Sequence, residues 1–380
     1  MLNRRILRIE VLQTTFAYLQ GKNSLKQMAR ESLAANLGPD MDTMNNEDIR
    51  MLAVRQREAL KIFDDKIEEV NPKCSHKVKE IEKLVNEAFI KYENDLKKDF
   101  KFLKKRMLLD IEGTRTTYLR ILQLLVEFKN VASTIKSNFG TPPENFVKNL
   151  LIRKIEYDNS VQSAILASGI SWTSHKEKVR EWYRDIIRKD SQFDEYLKLD
   201  KTDFIADKKL IDHLLRDVIL RNQVIGAFFE EEDLRWSEHE AVVKGMVKKS
   251  LKEIEEEKEF PRFSISMDWE DDKEFFEVLF DRVVEEERNI EALIGRKVKN
   301  WELERLALID KIILSLAVAE LKNFPNIPVK VTINEYIEVS KRYSTPKSKE
   351  FINGVLDGIT QELKSQGLIK KSGRGLLDNK

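Results

Sequence analysis

Apolar residues recur along this chain at three- and four-residue spacing far more often than in alternation, the periodicity of helices rather than strands. Leu2, Ile6, Ile9, Leu12, Phe16 and Leu19 form one such stripe, so the spacing predicts an amphipathic helix over 4–20. From 21 to about 80 the pattern weakens, with breaks at Gly38-Pro39 and Asn71-Pro72. Two long helices are predicted over 82–110 and 114–139, the second with a stripe through Leu119, Leu122, Leu125 and Phe128, and Gly140-Thr-Pro-Pro ends it. Further helices are expected at about 142–154, 174–188, 207–233 and 236–257, closed by Phe260-Pro261.

The last third is better specified. Residues 264–272 read as a link, after which Phe276, Leu279, Phe280 and Val283 give the stripe of a core-facing helix. Residues 301–322 form a largely apolar helix from Trp301 to Leu321, expected at the centre of its domain. Thr332-Ile333-Asn334-Glu335 fits a capping box, with Val331 and Tyr336 placed for a hydrophobic staple. Ser344-Thr345-Pro346 offers a cap followed by Pro at a first helical position, and Phe351, Val355 and Ile359 supply the stripe of the final helix. Beyond Gly367 the polar tail is expected to be mobile. No internal repeat is found.

Composition sharpens this picture. At 380 residues the chain can bury more than one core, and 35% charged residues with only 13 Gly and 8 Pro favour long helices. A net charge of +1 means that any nucleic-acid contact must come from a local patch. Cys74 is the only cysteine, which excludes an internal disulfide framework and a Cys-rich zinc site and suits a reducing cytoplasm. His76, His175, His213 and His239 are scattered, and Cys74-Ser75-His76 is too small a ligand set to close a structural zinc site. There is no phosphate-cradling glycine loop, no dinucleotide fingerprint and no nucleophile elbow; the nearest glycine pair, Gly373 and Gly375, lies in the tail. No cofactor, no metal and no catalysis are expected. No stretch reaches the roughly 18 apolar residues of a membrane span.

Two basic groupings stand out. Arg4, Arg5 and Arg8 crowd the start of the first helix, where positive charge opposes the helix dipole, so the trio suits an anionic partner. Lys97, Lys98, Lys101, Lys104, Lys105 and Arg106 form a run on the first long helix, read as a solvated face.

The first helix and the last third together resemble the NusB family. Arg4-Arg5-x-x-Arg8, followed by Val11-Leu12-Gln13 and Phe16, looks like that family's arginine-rich first helix. Trp301-x-Leu303-x-Arg305-Leu306, Ile309-Asp310-x-x-Ile313-Leu314 and Ala317-x-x-Glu320-Leu321 resemble its central helix. Ile327-Pro-Val-Lys-Val-x-Ile-Asn-Glu-x-Ile-Glu338 and Lys349-Glu-Phe-Ile-Asn-Gly-Val-Leu-Asp357 resemble its two signature segments. The resemblance implies an all-α fold: a NusB-like bundle of two packed helical subdomains, with residues 1–20 as its first helix, 21–260 as a helical insertion, 261–367 as the remainder and 368–380 as the tail. Part of the insertion, around 117–260, resembles an enlarged form found in one bacterial branch.

The same resemblance implies a bacterial cytoplasmic antitermination factor for ribosomal RNA operons. Such a factor binds boxA-type single-stranded RNA together with NusE, a small-subunit ribosomal protein, and meets other Nus factors and RNA polymerase indirectly. Carried over residue by residue, Arg4, Arg5, Arg8, Lys330, Lys341, Phe351 and Asn353 match RNA-facing positions, and Asp310 matches the NusE-facing surface. Lys347 is a further candidate RNA contact: it stands where an acidic residue that modulates RNA affinity can occur and should strengthen phosphate attraction, whereas Glu350 stands where a basic one is common and should weaken it. Arginine forks pair phosphates and stack on unpaired bases, which agrees with that role. From the residues alone, Phe351 either stacks a base or packs in the core, Asn353-Gly354 either contacts RNA or serves close helix packing, and Lys330 and Lys341 are either contacts or ordinary solvated charges. Two other readings stand beside this one: a protein-interaction scaffold that no longer binds RNA, and a NusB-like protein associated with rRNA modification.

Overall fold

The computed structural model describes residues 2–38, 46–68, 79–134, 143–261, 265–298 and 306–379. The fold is all-α, with no strand among the described residues. In chain order the helices are α1 (Arg4–Asn36), α2 (Asn46–Ile67), α3 (Lys79–Ser133), α4 (Glu144–Val147), α5 (Leu150–Tyr157), α6 (Asn159–Ala167), α7 (Lys176–Trp182), α8 (Ser191–Leu197), α9 (Phe204–His213), α10 (Gln223–Glu232), α11 (Trp236–Glu253), α12 (Trp269–Glu285), α13 (Glu287–Lys297), α14 (Leu308–Asn323), α15 (Val329–Tyr343) and α16 (Ser348–Ser365). They gather into two units: Met1–Leu7 with Leu108–Glu274, and Arg8–Met107 with Phe275–Lys380.

Several helices depart from their sequence-based bounds. The first runs on to Asn36, and the two long helices predicted on either side of Gly113 are one helix. A single helical Gly costs only about 1 kcal/mol relative to Ala, too little to interrupt so long a ladder of backbone bonds. The helix expected over 207–233 is divided at Asn222, whose side chain caps α10 by accepting from the backbone N–H groups of Val224 and Ile225 at 2.9 and 3.2 Å. The expected helix start at Trp301, the Cys74-Ser75-His76 stretch and Pro39, Asn71 and Pro72 lie outside the described residues.

The first unit is built on aromatic packing. Trp172, Trp182, Phe228, Phe229 and Trp236 are buried together, with Trp172 and Phe228 stacked at 5.5 Å between centroids. The Arg120 guanidinium covers both, 5.1 Å from the Trp172 ring centre and 5.3 Å from that of Phe228. Asp207, fully buried, holds α5, α8 and α9 in register by accepting from the Leu150 N–H at 2.6 Å and the Tyr196 hydroxyl at 2.7 Å.

The second unit has α14 at its centre, as its apolar sequence requires: Ile312, Ile313, Leu314, Leu316, Ala317, Val318, Ala319 and Leu321 are all buried. Helices α13, α15 and α16 pack on it. The long helix joins this unit through a ring cluster, in which Phe100 stacks on Phe280 at 5.1 Å and Tyr18 meets both edge-on at 6.1 and 6.2 Å. Helix α2 adds Phe63, fully buried and edge-on to Tyr92 at 6.2 Å. In the tail, Lys371 Nζ donates to the Phe324 carbonyl at 2.9 Å and the Ser372 N–H to the Pro325 carbonyl at 3.0 Å.

Candidate nucleic-acid interface

The second unit sorts its polar residues into an inner set and an outer set. From Leu7 to Leu12 every side chain of α1 is buried, so an arginine in that stretch needs a partner. Arg8 is only 2% exposed and has one. Its Nε and Nη2 donate to the two carboxylate oxygens of Glu320 at 2.7 Å each, a parallel fork that fixes both groups. Glu320, fully buried on α14, also accepts from Thr332 Oγ1 at 2.8 Å and from the Tyr336 hydroxyl at 3.1 Å. The remaining Nη1 lies 3.6 Å from Glu335, and the Phe275 ring centre is 5.3 Å from the guanidinium carbon. Burial alone would lower the Arg8 pKa, but the Glu320 carboxylate outweighs it and raises the pKa above its usual value. Burial, reinforced by Glu320, likewise pushes the Tyr336 hydroxyl well above its usual range, so it stays a donor.

These bonds correct two expectations. Arg8 does not face outward toward an anion with its two neighbours; its charge is met inside the unit by Glu320. Thr332 is not a cap. The helix begins at Val329, Pro328 precedes it with its fixed φ, and Thr332 sits buried inside the helix with its hydroxyl spent on Glu320. Glu320, Thr332 and Tyr336 carry this node unforeseen, although an acid inside an apolar helix is a signal that a buried partner waits for it.

A second inner node forms around Asp310, expected on a partner-facing surface. Its carboxylate, 5% exposed, accepts from the hydroxyls of Ser344 and Ser348, the latter at 2.8 Å. With both hydroxyl hydrogens directed at Asp310, the Ser344 and Ser348 oxygens lie 2.9 Å apart. The start of α14 is thus pinned to the turn between α15 and α16, and α16 begins at Ser348 rather than at Pro346. The turn closes through the Ser348 N–H on the Thr345 carbonyl at 3.0 Å.

The outer set rests on those pinned helices. Lys330 and Lys341 are exposed on α15, and eleven residues at about 100° each return to nearly the same face, about 16 Å along the axis. Asn334 and Glu338 lie between them, and Lys341 pairs with Glu338. Lys347 is exposed at the N-cap of α16, where a cation opposes the helix dipole. Phe351 is half-buried, so part of its ring packs inward and part stays open to a ligand. Asn353 is also half-buried, 3.5 Å from Asp357. A Cβ on Gly354 would meet nothing within 4 Å, so this glycine does not serve close helix packing.

The start of α1 belongs to the first unit. There Arg4 pairs with Asp271 and, at 3.3 Å, with Asp272. Those carboxylates stand in the first turn of α12, which suits that helix's dipole and offsets the arginine. Arg5 is exposed. One inward fork, one half-covered ion pair and one outward side chain replace the uniform trio read from the sequence.

The class of protein defined here is an all-helical one, in which a buried arginine–glutamate node holds α1, α14 and α15 together and the outer face of α15 and α16 carries lysines and a half-buried aromatic ring. The chain belongs to the NusB family. The sequence model of that family matches residues 238–361. Curated relatives bearing the name transcription antitermination protein NusB are similar to it. The protein of Chloroherpeton thalassium is 45% identical over 106 residues, which cover 28% of this chain and 50% of that one. That of Salinibacter ruber is 42% identical over 105 residues, covering 28% and 66%, and that of Bacillus mycoides 43% over 94, covering 25% and 72%. The match thus spans half the length of the first of these relatives and two thirds or more only of the last. Among solved structures, NusB of T. maritima matches at 31% identity over 36% of this chain and 84% of that one, with a TM-score of 0.24.

Proposed function

We propose that this chain is an RNA-binding transcription antitermination factor of ribosomal RNA operons, taking boxA-type single-stranded RNA together with NusE. The observation that carries the reading is the outer face of α15 and α16. Within the residues matched by the family model, Lys330, Lys341 and Lys347 are exposed and Phe351 is half-buried beside them in sequence. Lysines track phosphates, and an aromatic ring offers a platform for an unpaired base. Lys347 at a helix N-cap is a position where a bound anion relieves an unfavourable charge. Asn353 supplies an amide for base edges, and Arg5 an exposed guanidinium for a phosphate. Arg4 contributes only if Asp271 and Asp272 release it.

Arg8 and Asp310 take a different part in this proposal. They position the elements that carry the outer set, Arg8 by holding α15 through Glu320 and Asp310 by fixing the turn that precedes Lys347. The replacement of Arg5, Lys330, Lys341 and Lys347 by Ala tests the reading. It should leave the fold intact, since exposed substitutions cost within about 0.5 kcal/mol. The slope of log affinity for boxA RNA against log salt should shrink by roughly 0.7 for each phosphate that is no longer neutralised. A variant with unchanged affinity and slope removes these residues from the RNA site.

A further inference from the structure

We infer that the exposed face of α3 around Phe102 is a second surface for single-stranded RNA, lying outside the residues matched by the family model. The segment Lys97–Arg106 sorts itself by helical geometry. At about 100° per residue, Lys101, Lys105, Lys98, Phe102 and Arg106 fall in one arc of about 140°. Leu96, Phe100, Leu103 and Met107 fall on the opposite arc and meet the core, Phe100 through its stack on Phe280. Of the flanking lysines, Lys104 is spent on Asp281 at 2.7 Å, whereas Lys97 makes only an exposed pair with Glu93 at 3.4 Å. Asp99, the one acid among residues 97–106, is turned off the arc, close enough to α1 that a Cβ on Gly21 would stand 2.8 Å from its carboxylate.

The outer arc carries Lys101 and Lys105, with one large ring at its middle. Lys98 has only the neighbouring Asp95 at 3.0 Å, and Lys101 and Lys105 have no ion-pair partner among the described residues. Phe102 is 64% exposed, its ring standing between Lys98 and Arg106 on the arc. A solvated helix face explains the lysines, as the sequence alone suggested, but gives no reason for the phenylalanine. Cations flanking an exposed aromatic are the elements of a groove for unpaired nucleotides: charge follows the backbone and the ring stacks a base, with little demand on sequence. With a net charge of +1 the rest of the chain offers no general attraction for polyanions, so such a local patch would show itself in salt dependence. Helix α3 itself lies outside the matched residues 238–361, so this surface would add sequence-tolerant grip on RNA beside any boxA site.

The test uses the full chain and fluorescein-labelled oligo-uridine, followed by anisotropy across a salt series. Lys101→Ala with Lys105→Ala should lower affinity and shrink the log–log salt slope by roughly 0.7 for each phosphate released. Phe102→Ala should lower affinity by roughly five- to 150-fold at an unchanged slope. All three side chains lie on the outer arc, and circular dichroism with thermal unfolding should show the parent fold in each variant. Because the inference stands on α3 alone, the same changes are repeated in the chain already lacking Arg5, Lys330, Lys341 and Lys347. A further loss there supports the α3 surface whether or not the boxA reading holds. Unchanged oligo-uridine binding in both backgrounds overturns it. So does a loss confined to vesicles of phosphatidylserine with RNA binding intact, which would assign the arc to a membrane surface instead.

Discussion

Arg4, Arg5 and Arg8 look alike in sequence, yet Arg8 is buried on Glu320 from the far end of the chain, Arg4 pairs with two aspartates and Arg5 faces outward. The difference is tertiary: α1 is buried on all sides from Leu7 to Leu12, and only the position of Glu320 makes an arginine tolerable there. Arg8→Ala should therefore destabilise the protein by about 3–5 kcal/mol, because it leaves the Glu320 carboxylate buried without its counter-charge. Urea unfolding measures this, and any fall in RNA affinity should track the unfolded fraction with the salt slope unchanged. A stable Arg8→Ala protein with a reduced slope would make Arg8 an RNA contact after all. Phe351→Ala should behave in the opposite way: a loss of about 1–3 kcal/mol in RNA affinity at constant slope if the ring stacks a base. A collapse of thermal stability before any binding loss would instead assign the ring to the core.

Among elements, the apolar stripes were legible and the junctions were not. Periodicity located α1, α12, α14 and α16 but not α13, since a buried face imposes the same spacing wherever a helix packs on a long enough stripe. It failed where a local signal competed with tertiary bonding. Thr332-x-x-Glu335 has the form of a capping box, but both side chains turn to the Arg8–Glu320 node. Asn222 gives no clear cap signal, because apolar residues continue on both sides of it. The turn at 344–347 depends on Asp310, and Asp310→Ala should cost about 1–3 kcal/mol by leaving the Ser344 and Ser348 hydroxyls short of an acceptor. Hydrogen exchange should quicken first in the opening turn of α16; uniform exchange would show that the turn is held by other means. The cap at Asp158 makes a pH prediction in the first unit. Burial would raise its pKa, but the Ser160 hydroxyl and the backbone N–H groups of Phe260, Val161 and Ser160 outweigh that and lower it. Its contribution is therefore complete above the ordinary carboxylate range and fades as pH falls through the lowered value. Asp158→Asn should flatten the acid limb of stability against pH, and an unaltered limb would show that the cap does not report there.

At the scale of the whole molecule, the all-helical class could be read from composition and spacing alone, whereas the grouping of α2 and the first part of α3 with the C-terminal helices could not. That grouping rests on contacts between residues distant in sequence, such as Phe100 with Phe280 and Lys104 with Asp281, which no local pattern announces. With a net charge near zero, the proposed RNA binding would depend on where the cations stand rather than on their number. Sequence-selective RNA binding shared with NusE is measured most directly by a titration of boxA RNA against a scrambled RNA of equal composition, with and without the NusE protein. The expected result is tighter binding of boxA, strengthened further by NusE and weakened by salt. Equal affinity for the two RNAs, indifferent to NusE, would contradict the proposed function.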